Sequence, residues 1–454
     1  MKRALSYRTY CRCIVLFSTL GGLLANATGQ ATIVLKQGFD GPVETAGVCG
    51  FVNPPDPTIA VGPSHVLVTV NTYVYVYDKN GSPACLPPSC SLSLEKTTGL
   101  FRDADACPVA HPRCIYDHYT DQFVVIALRI SPAHIFIAVS PPGQPTDFAN
   151  WIVRDISTSA SADFPGLGYD DSYYYVTAKT DTSLYGSSRF LAFAKDLSTF
   201  GSFLEADAGT VQPAIMFDAS VGTPYGYLTG VTEDTSTGDK LIKIYAWDKA
   251  LNQFHDKTTV LLNPGWVNPE PSTTPSCSRT LAAPQQDALR NAVYRFDGTL
   301  NSGMLYAAHP VKNLALKTQV QWFEVRLNGW PDSAIQPDVV ASATFAGNTV
   351  GSMPAITRSS SGKLAMVMAT TGDGIPPGVG VTGRLPGITS LFSSVTNAKT
   401  GLCDVKLSDF WGDFYGIAVD PTDDTFWAFG EYFGTVDIHG NQSWKTWIQN
   451  FDVQ

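Results

Sequence analysis

From residue 30 onward, short apolar runs alternate with turn formers, and the alternation keeps returning to one plan. The clearest copy is HPRCIYDHYTDQFVVIALRI (111–130). A Pro opens a short apolar strand, Asp117 and Asp121 mark a turn, and a longer apolar strand follows. Variants begin at Asp56 (DPTIAVGPSHVLVTVN), Phe164 (FPGLGYDDSYYYVTAK), Gln212 (QPAIMFDASVGTPYGYLTGV), Met353 (MPAITRSSSGKLAMVMATT) and Phe414 (FYGIAVDPTDDTFWAFGEY). Pro57, Pro112, Pro165, Pro213 and Pro354 hold the opening position, where a strand loses least from a missing N–H. Five residues on stand Gly62, Asp117, Asp170, Asp218 and Ser359, with Asp420 after Tyr415 in the last unit. These residues favour turns.

A third strand follows in most units: 72–78, 134–140, 189–196, 240–248 and 320–327, each β-branched or aromatic and several strictly alternating. A weaker fourth follows, as in NWIVRDI (150–156). With a degenerate start near Ala292, seven such units recur at steps of 48 to 79 residues. The pattern predicts an all-β chain, a seven-bladed β-propeller of four-stranded antiparallel blades. Separate β-sandwiches would need linkers, and no Ser/Gly or low-complexity stretch supplies one. The last unit supplies only three strands, while 31–39 stands unpaired at the front. Pairing 32–37 into the last blade would join the chain's N- and C-terminal strands and close the ring. Two long polar loops are expected, 263–286 in the fifth unit and 372–387 in the sixth.

Composition changes the picture at the front. Lys2, Arg3, Arg8 and Arg12 precede an apolar run from Cys13 to Ala25 and an A-x-A pattern at Ala25–Ala27. Residues 1–27 read as a cleaved signal peptide, and 28–454 as a single domain, secreted to the extracellular space or periplasm without membrane insertion. Removing four cations changes the net charge from −10 to −14, which argues against nucleic acid as a partner. Cys49, Cys85, Cys90, Cys107, Cys114, Cys277 and Cys403 remain. Disulfides are expected in an oxidising compartment, and the odd number leaves one cysteine over. Cys85 and Cys90 flank a turn and suit a local bridge, or one of them reaches Cys107. Cys114, inside an apolar strand, is the candidate for a buried free thiol.

HPRCIYDHYTDQFV resembles a DPR-x-x-YD-x-x-x-x-x-W/F segment, and WGDFYGIAVDPTDDTFWAFGEY (411–432) a WGDYS-x-x-x-VDP-x-DD-x-x-FW-x-x-x-EY segment. Both belong to a group of exported bacterial proteins with propeller-type repeats. YRFDGTLNSGMLYAAHPV (294–311) followed by WFEVR is similar to a third segment of that group. The likeness runs from about Asp56 to the end and implies the fold, but it carries over no catalytic residue. His111 stands where the group has Asp, and Phe414-Tyr415 where it has Tyr-Ser. A site shared at those places would be altered in this chain.

In a propeller the first strand of each blade starts at one mouth of the central channel. Asp56, His111, Arg113, Asp163, Gln212, Ser352, Trp411 and Asp413 are therefore expected on one rim. Of these, Asp56, His111, Arg113, Asp163, Trp411 and Asp413 are the candidate ligand-binding set. Their chemistry suits a polar ligand, a carbohydrate or a surface protein; the competing reading is that the carboxylates accept backbone N–H groups and hold the blades. No catalytic residue is identified. There is no G-x-S-x-G, no H-E-x-x-H, no Walker loop and no G-x-G-x-x-G after a strand. No metal or other cofactor is expected, although the Asp-rich turns 116–122, 169–172, 233–239 and 420–425 raise calcium without matching an EF-hand loop. The chain reads as an exported binding module. The alternative is a glycan-active hydrolase or lyase using rim carboxylates as acid and base.

Overall fold

The structure is a computed structural model. It describes residues 30–44, 49, 54–85, 90–103, 105, 107–129, 133–158, 162–180, 187–198, 200–205, 210–219, 223–234, 236–263, 288–312, 318–345, 349–372, 375–387, 391–402, 413–436 and 442–454. The proposed signal peptide, Cys277, Cys403 and Trp411 lie outside the described residues, as does the loop expected at 263–286 apart from Asn263.

The described chain is all-β, with one 3₁₀ turn at Phe148–Asn150. No described helix is long and apolar enough to cross a membrane. The strands form antiparallel meanders of four. The first is Thr58–Val61, His65–Val70, Tyr73–Asp78 and Ser91–Ser93. The second is Val109–Asp117, Gln122–Arg129, His134–Val139 and Ile152–Ser157. The third is Asp163–Tyr169, Tyr173–Lys179, Ser188–Ala194 and Phe200–Glu205. The fourth is Gln212–Met216, Tyr225–Glu233, Lys240–Asp248 and Gln253–Leu261. The fifth is Ala292–Asp297, Ser302–Lys312, Thr318–Arg326 and Asp338–Thr344. The sixth is Thr349–Arg358, Leu364–Gly372, Ile375–Arg384 and Thr396–Thr400. The seventh is Gly416–Val419, Phe426–Val436 and Gln442–Val453, and its fourth strand is Ile33–Val43 from the front of the chain. That strand runs antiparallel to Gln442–Val453, with Ile33 opposite Val453 and Phe39 opposite Ile448.

First strands are mostly buried, completely so at Thr58–Val61, whereas fourth strands such as Ile152–Ser157 and Gln253–Leu261 alternate between exposed and half-buried. First strands also touch in order from the first meander to the seventh, and the seventh touches the first. The apolar clusters follow the same order. Phe123, Phe136 and Val125 pack with Leu67 and Val74 between the first and second meanders, and Val66 and Val68 pack with Trp427, Phe429 and Ile448 between the seventh and first. Apolar side chains on both faces of each meander are thus removed from water, the main source of its stability.

The turn aspartates do two jobs. Asp117, Asp170 and Asp420 accept backbone N–H bonds from the turns that follow them. Each also holds a cation from the next meander. Lys195 lies 2.8 Å from Asp117, Lys249 3.5 Å from Asp170, and Lys79 of the first meander 2.5 Å from Asp420 of the seventh. Arg295–Asp218 and Arg358–Asp297 continue the series.

One expectation is corrected. The segment 372–387, read as a polar loop, contains the strand Ile375–Arg384. Its glycines looked like loop residues but stand where neighbours leave no room for a side chain. A Cβ on Gly380 would meet Thr370, and one on Gly383 would meet Val453.

Candidate functional site

Four of the expected rim residues do meet. The residue before the opening Pro sits in the left-handed region in four meanders: Asp56 (φ 49), His111 (φ 53), Phe164 (φ 50) and Met353 (φ 51). Register shifts mark bulges at the last three. For non-glycine residues ahead of proline this backbone is strained, and it recurs at the end of the molecule where the first strands start.

Asp56 is fully buried. It accepts bonds from Asn71 Nδ2 (2.9 Å), the Asp413 N–H (3.1 Å) and His111 Nδ1 (2.8 Å). His111 Nε2 faces Asp163 Oδ1 at 3.3 Å, and the His111 N–H donates to Asn71 Oδ1. With a carboxylate at each ring nitrogen, the imidazole is a double donor. Burial works against its charge, but the bond and charge of Asp56, helped by Asp163 and Asp413, lift it to about 9. Burial and then the Asp56 charge push the Asp413 carboxyl up to about 6. Oxygens of Asp56 and Asp413 and a nitrogen of His111 lie within 4.8 Å of one another, the spacing of a metal site. A metal ion there would have to displace the proton on His111 Nδ1. The cluster joins the first, second, third and seventh meanders.

Arg113 turns inward instead. Its guanidinium lies 4.3 Å from the Phe414 ring centre and donates from Nη2 to the Arg290 carbonyl. Phe164 and Phe414 are buried ring against ring at 4.7 Å, and Arg290 stacks on Phe164. Gln212, at the start of its strand, and Ser352, within Thr349–Arg358, are buried.

Below this end lies a cavity of about 500 Å³. Every meander lines it through its first strand: Ile59, Ile115, Leu167, Ile215, Arg295, Ala355 and Ile417 are examples. Arg113, Thr58 and Cys114 mark its buried end; Tyr116, His118, Phe217, Ser360, Asp423 and Asp424 frame the other. The Asp423 side chain is 51% exposed, which makes that end the mouth. The mouth's polar groups are partly committed: Tyr116 donates to Asp121, His118 pairs with the Tyr169 hydroxyl, and Asp424 caps the Ser360 and Ser361 N–H groups. These residues follow the first strands, at the end opposite the expected rim. The repeat pattern placed them in turns, and the aromatic residues beside the turn Asp were the available signal.

Cys114 is buried with its Sγ 3.3 Å from the Thr58 hydroxyl, and burial pushes the thiol up to about 11. Cys85 pairs with Cys90, as one of the readings had it, and Cys49 with Cys107. In the Asp-rich turns, Asp117, Asp170, Asp234 and Asp420 each accept a backbone N–H from the turn that follows.

No family model matches the chain, and no curated protein matches it. Among solved structures it is similar to the hemagglutinin-neuraminidase of Parainfluenza Virus 5 soaked with the ligand DANA, at 8% identity and a TM-score of 0.44, over 93% of this chain and 95% of that one. It is similar to an ulvan lyase bound to a glucuronate–rhamnose sulfate unit, at 9% identity and a TM-score of 0.41, over 75% and 79%. A third is the endo-arabinase of Bacteroides thetaiotaomicron, at 13% identity and a TM-score of 0.33, over 66% and 94%.

Proposed function

We propose that the chain is a secreted, single-domain, seven-bladed β-propeller that binds carbohydrate in its central cavity. The ring reading is supported by the cyclic order of first-strand contacts and by the pairing of Ile33–Val43 with Gln442–Val453, which joins the chain's ends in the seventh blade. Two disulfides fit an oxidising compartment.

The observation that carries the binding reading is the cavity of about 500 Å³ with a mixed aromatic and polar mouth. Its volume is that of a small-ligand site. Tyr116 and Phe217 offer faces to the C–H side of a sugar ring, while His118, Ser360 and Asp423 offer hydroxyl partners. Asp56, His111, Asp163 and Asp413 act as the lock of the opposite end. A glycan array probed with residues 28–454 and with Phe217→Ala and Tyr116→Ala tests this. Binding to defined glycans that both variants lose supports the reading. Binding to none, or binding untouched by the variants, contradicts it.

A second reading, a glycan hydrolase or lyase, is favoured by Asp413, which keeps its proton up to about pH 6 beside the Asp56 carboxylate. It requires turnover of an acidic or neutral polysaccharide that Asp413→Ala abolishes.

A further inference from the structure

Beside the mouth of the central cavity lies a second recess, a cleft of about 880 Å³ between the fifth and sixth meanders. It is lined by the turns after their first strands, 297–300 and 359–362, and by Glu324 and Arg384 near the ends of their third strands. Arg295 and Ser360 line both the cleft and the cavity. Ser360 is exposed, so the boundary between the two spaces faces solvent there. Arg295 ties them together: its guanidinium lies 4.1 Å from the ring centre of Phe217, at the cavity mouth, and pairs with Asp218, on the cleft side.

The charged residues that line the cleft pair off. Arg295 meets Asp218 at 3.1 Å, Arg358 meets Asp297 at 3.3 Å, and Arg384 pairs with Glu324. Charge is therefore balanced, and an ionic ligand gains no counter-ion here. Asp218 and Asp297 stay half-buried rather than sealed, so their oxygens remain within reach of a ligand hydroxyl. The same wall carries apolar side chains: Leu300 and Val340 are 46% and 40% exposed, and Phe296 is half-buried. Apolar surface beside paired ions suits a body with C–H faces and a hydroxylated edge, which describes a sugar ring.

We propose that the cleft is a second sugar subsite, and that the ligand is a neutral oligosaccharide with one end in the central cavity and the rest crossing Ser360 into the cleft. The inference rests on the cavity being the ligand site, and it names the class of ligand: uncharged, and longer than a single sugar. Each of the two spaces has the volume of a small-ligand site by itself, so a monosaccharide in the cavity leaves the cleft empty.

Titration calorimetry on residues 28–454 tests this with xylo-, manno- and cello-oligosaccharides, each from monosaccharide to hexasaccharide, beside oligogalacturonates of the same lengths. At least one neutral ladder is expected to bind about tenfold or more tighter as the tetrasaccharide than as the monosaccharide. Gly298→Trp and Leu300→Glu put bulk and charge into the cleft. A Cβ on Gly298 would meet nothing within 4 Å, and Leu300 is exposed, so both variants are expected to fold. They are expected to remove the gain with length and leave monosaccharide binding, whereas Phe217→Ala weakens every length. Loss of the gain in either cleft variant supports the subsite; a gain that both keep overturns it. Affinity that does not change with length overturns it too, and leaves the cavity as the site of a single sugar. A gain confined to the oligogalacturonates overturns the neutral class. No binding on any ladder overturns the inference, while the glycan array still decides the wider reading.

Discussion

Replacing His111 by Asn leaves Asp56 fully buried without its positive neighbour. The imidazole proton is held to about 9 in the fold, against 6.5 for a free histidine. That difference corresponds to about 3 kcal/mol of stability. Because the folded value is the higher one, the contribution is present in full below about pH 6.5 and is lost as pH rises through 9. Denaturant unfolding of wild type and His111→Asn at a series of pH values reads this directly. The variant is expected to be about 3 kcal/mol less stable at pH 6, with the gap closing to below about 1 kcal/mol at pH 10. Taking the difference between the two proteins cancels the lysines and tyrosines that titrate in the same range. An NMR titration of the labelled imidazole gives the midpoint independently. A gap that does not change with pH, or an imidazole titrating near 6.5, would refute the reasoning.

Two further perturbations follow from the same contacts. Asp413 has its folded carboxyl raised to about 6 from 3.8, so its favourable, protonated form is fully present below 3.8 and is lost as pH rises through 6. Asp413→Asn should therefore stabilise the protein at pH 8, by up to about 3 kcal/mol, and do little at pH 4; a loss of stability at pH 8 in the same denaturant assay contradicts this. Lys195→Met removes the partner of Asp117, which is fully buried. A cost of about 3–5 kcal/mol is expected, and a denaturant midpoint within error of wild type would show that the turn N–H groups and Tyr174 suffice for Asp117.

Much of the architecture was legible because it repeats. Pro at the head of a strand and Asp at its foot recur at a fixed spacing of five, and each marks a backbone requirement that few other residues meet. The third strands at 134–140 and 240–248 were legible from their β-branched and aromatic residues. The unpaired run at the front pointed to its partner because the last unit was one strand short.

What was not legible depends on neighbours distant in the chain. Gly378, Gly380 and Gly383 read as loop residues, yet they are strand residues squeezed against the next strand and, at Gly383, against Val453. Lys79, Lys195 and Lys249 each sit beside an Asp at the end of a third strand, and nothing in the repeat pattern marks them as paired. Their partners are aspartates of the preceding meander, or of the seventh in the case of Lys79. The expected rim gathered as four residues, but their hydrogen bonds are largely spent on one another. Arg113 left the set because the Phe414 ring and the Arg290 carbonyl hold it inward.

The most direct measurement is a crystal structure of residues 28–454 soaked with whichever glycan the array selects or, failing one, with xylotetraose. The account predicts ligand density inside the cavity lined by the first strands, reaching in from the Phe217 mouth. Density confined to an outer strand or a surface loop, with the central cavity empty at saturating ligand, would contradict it.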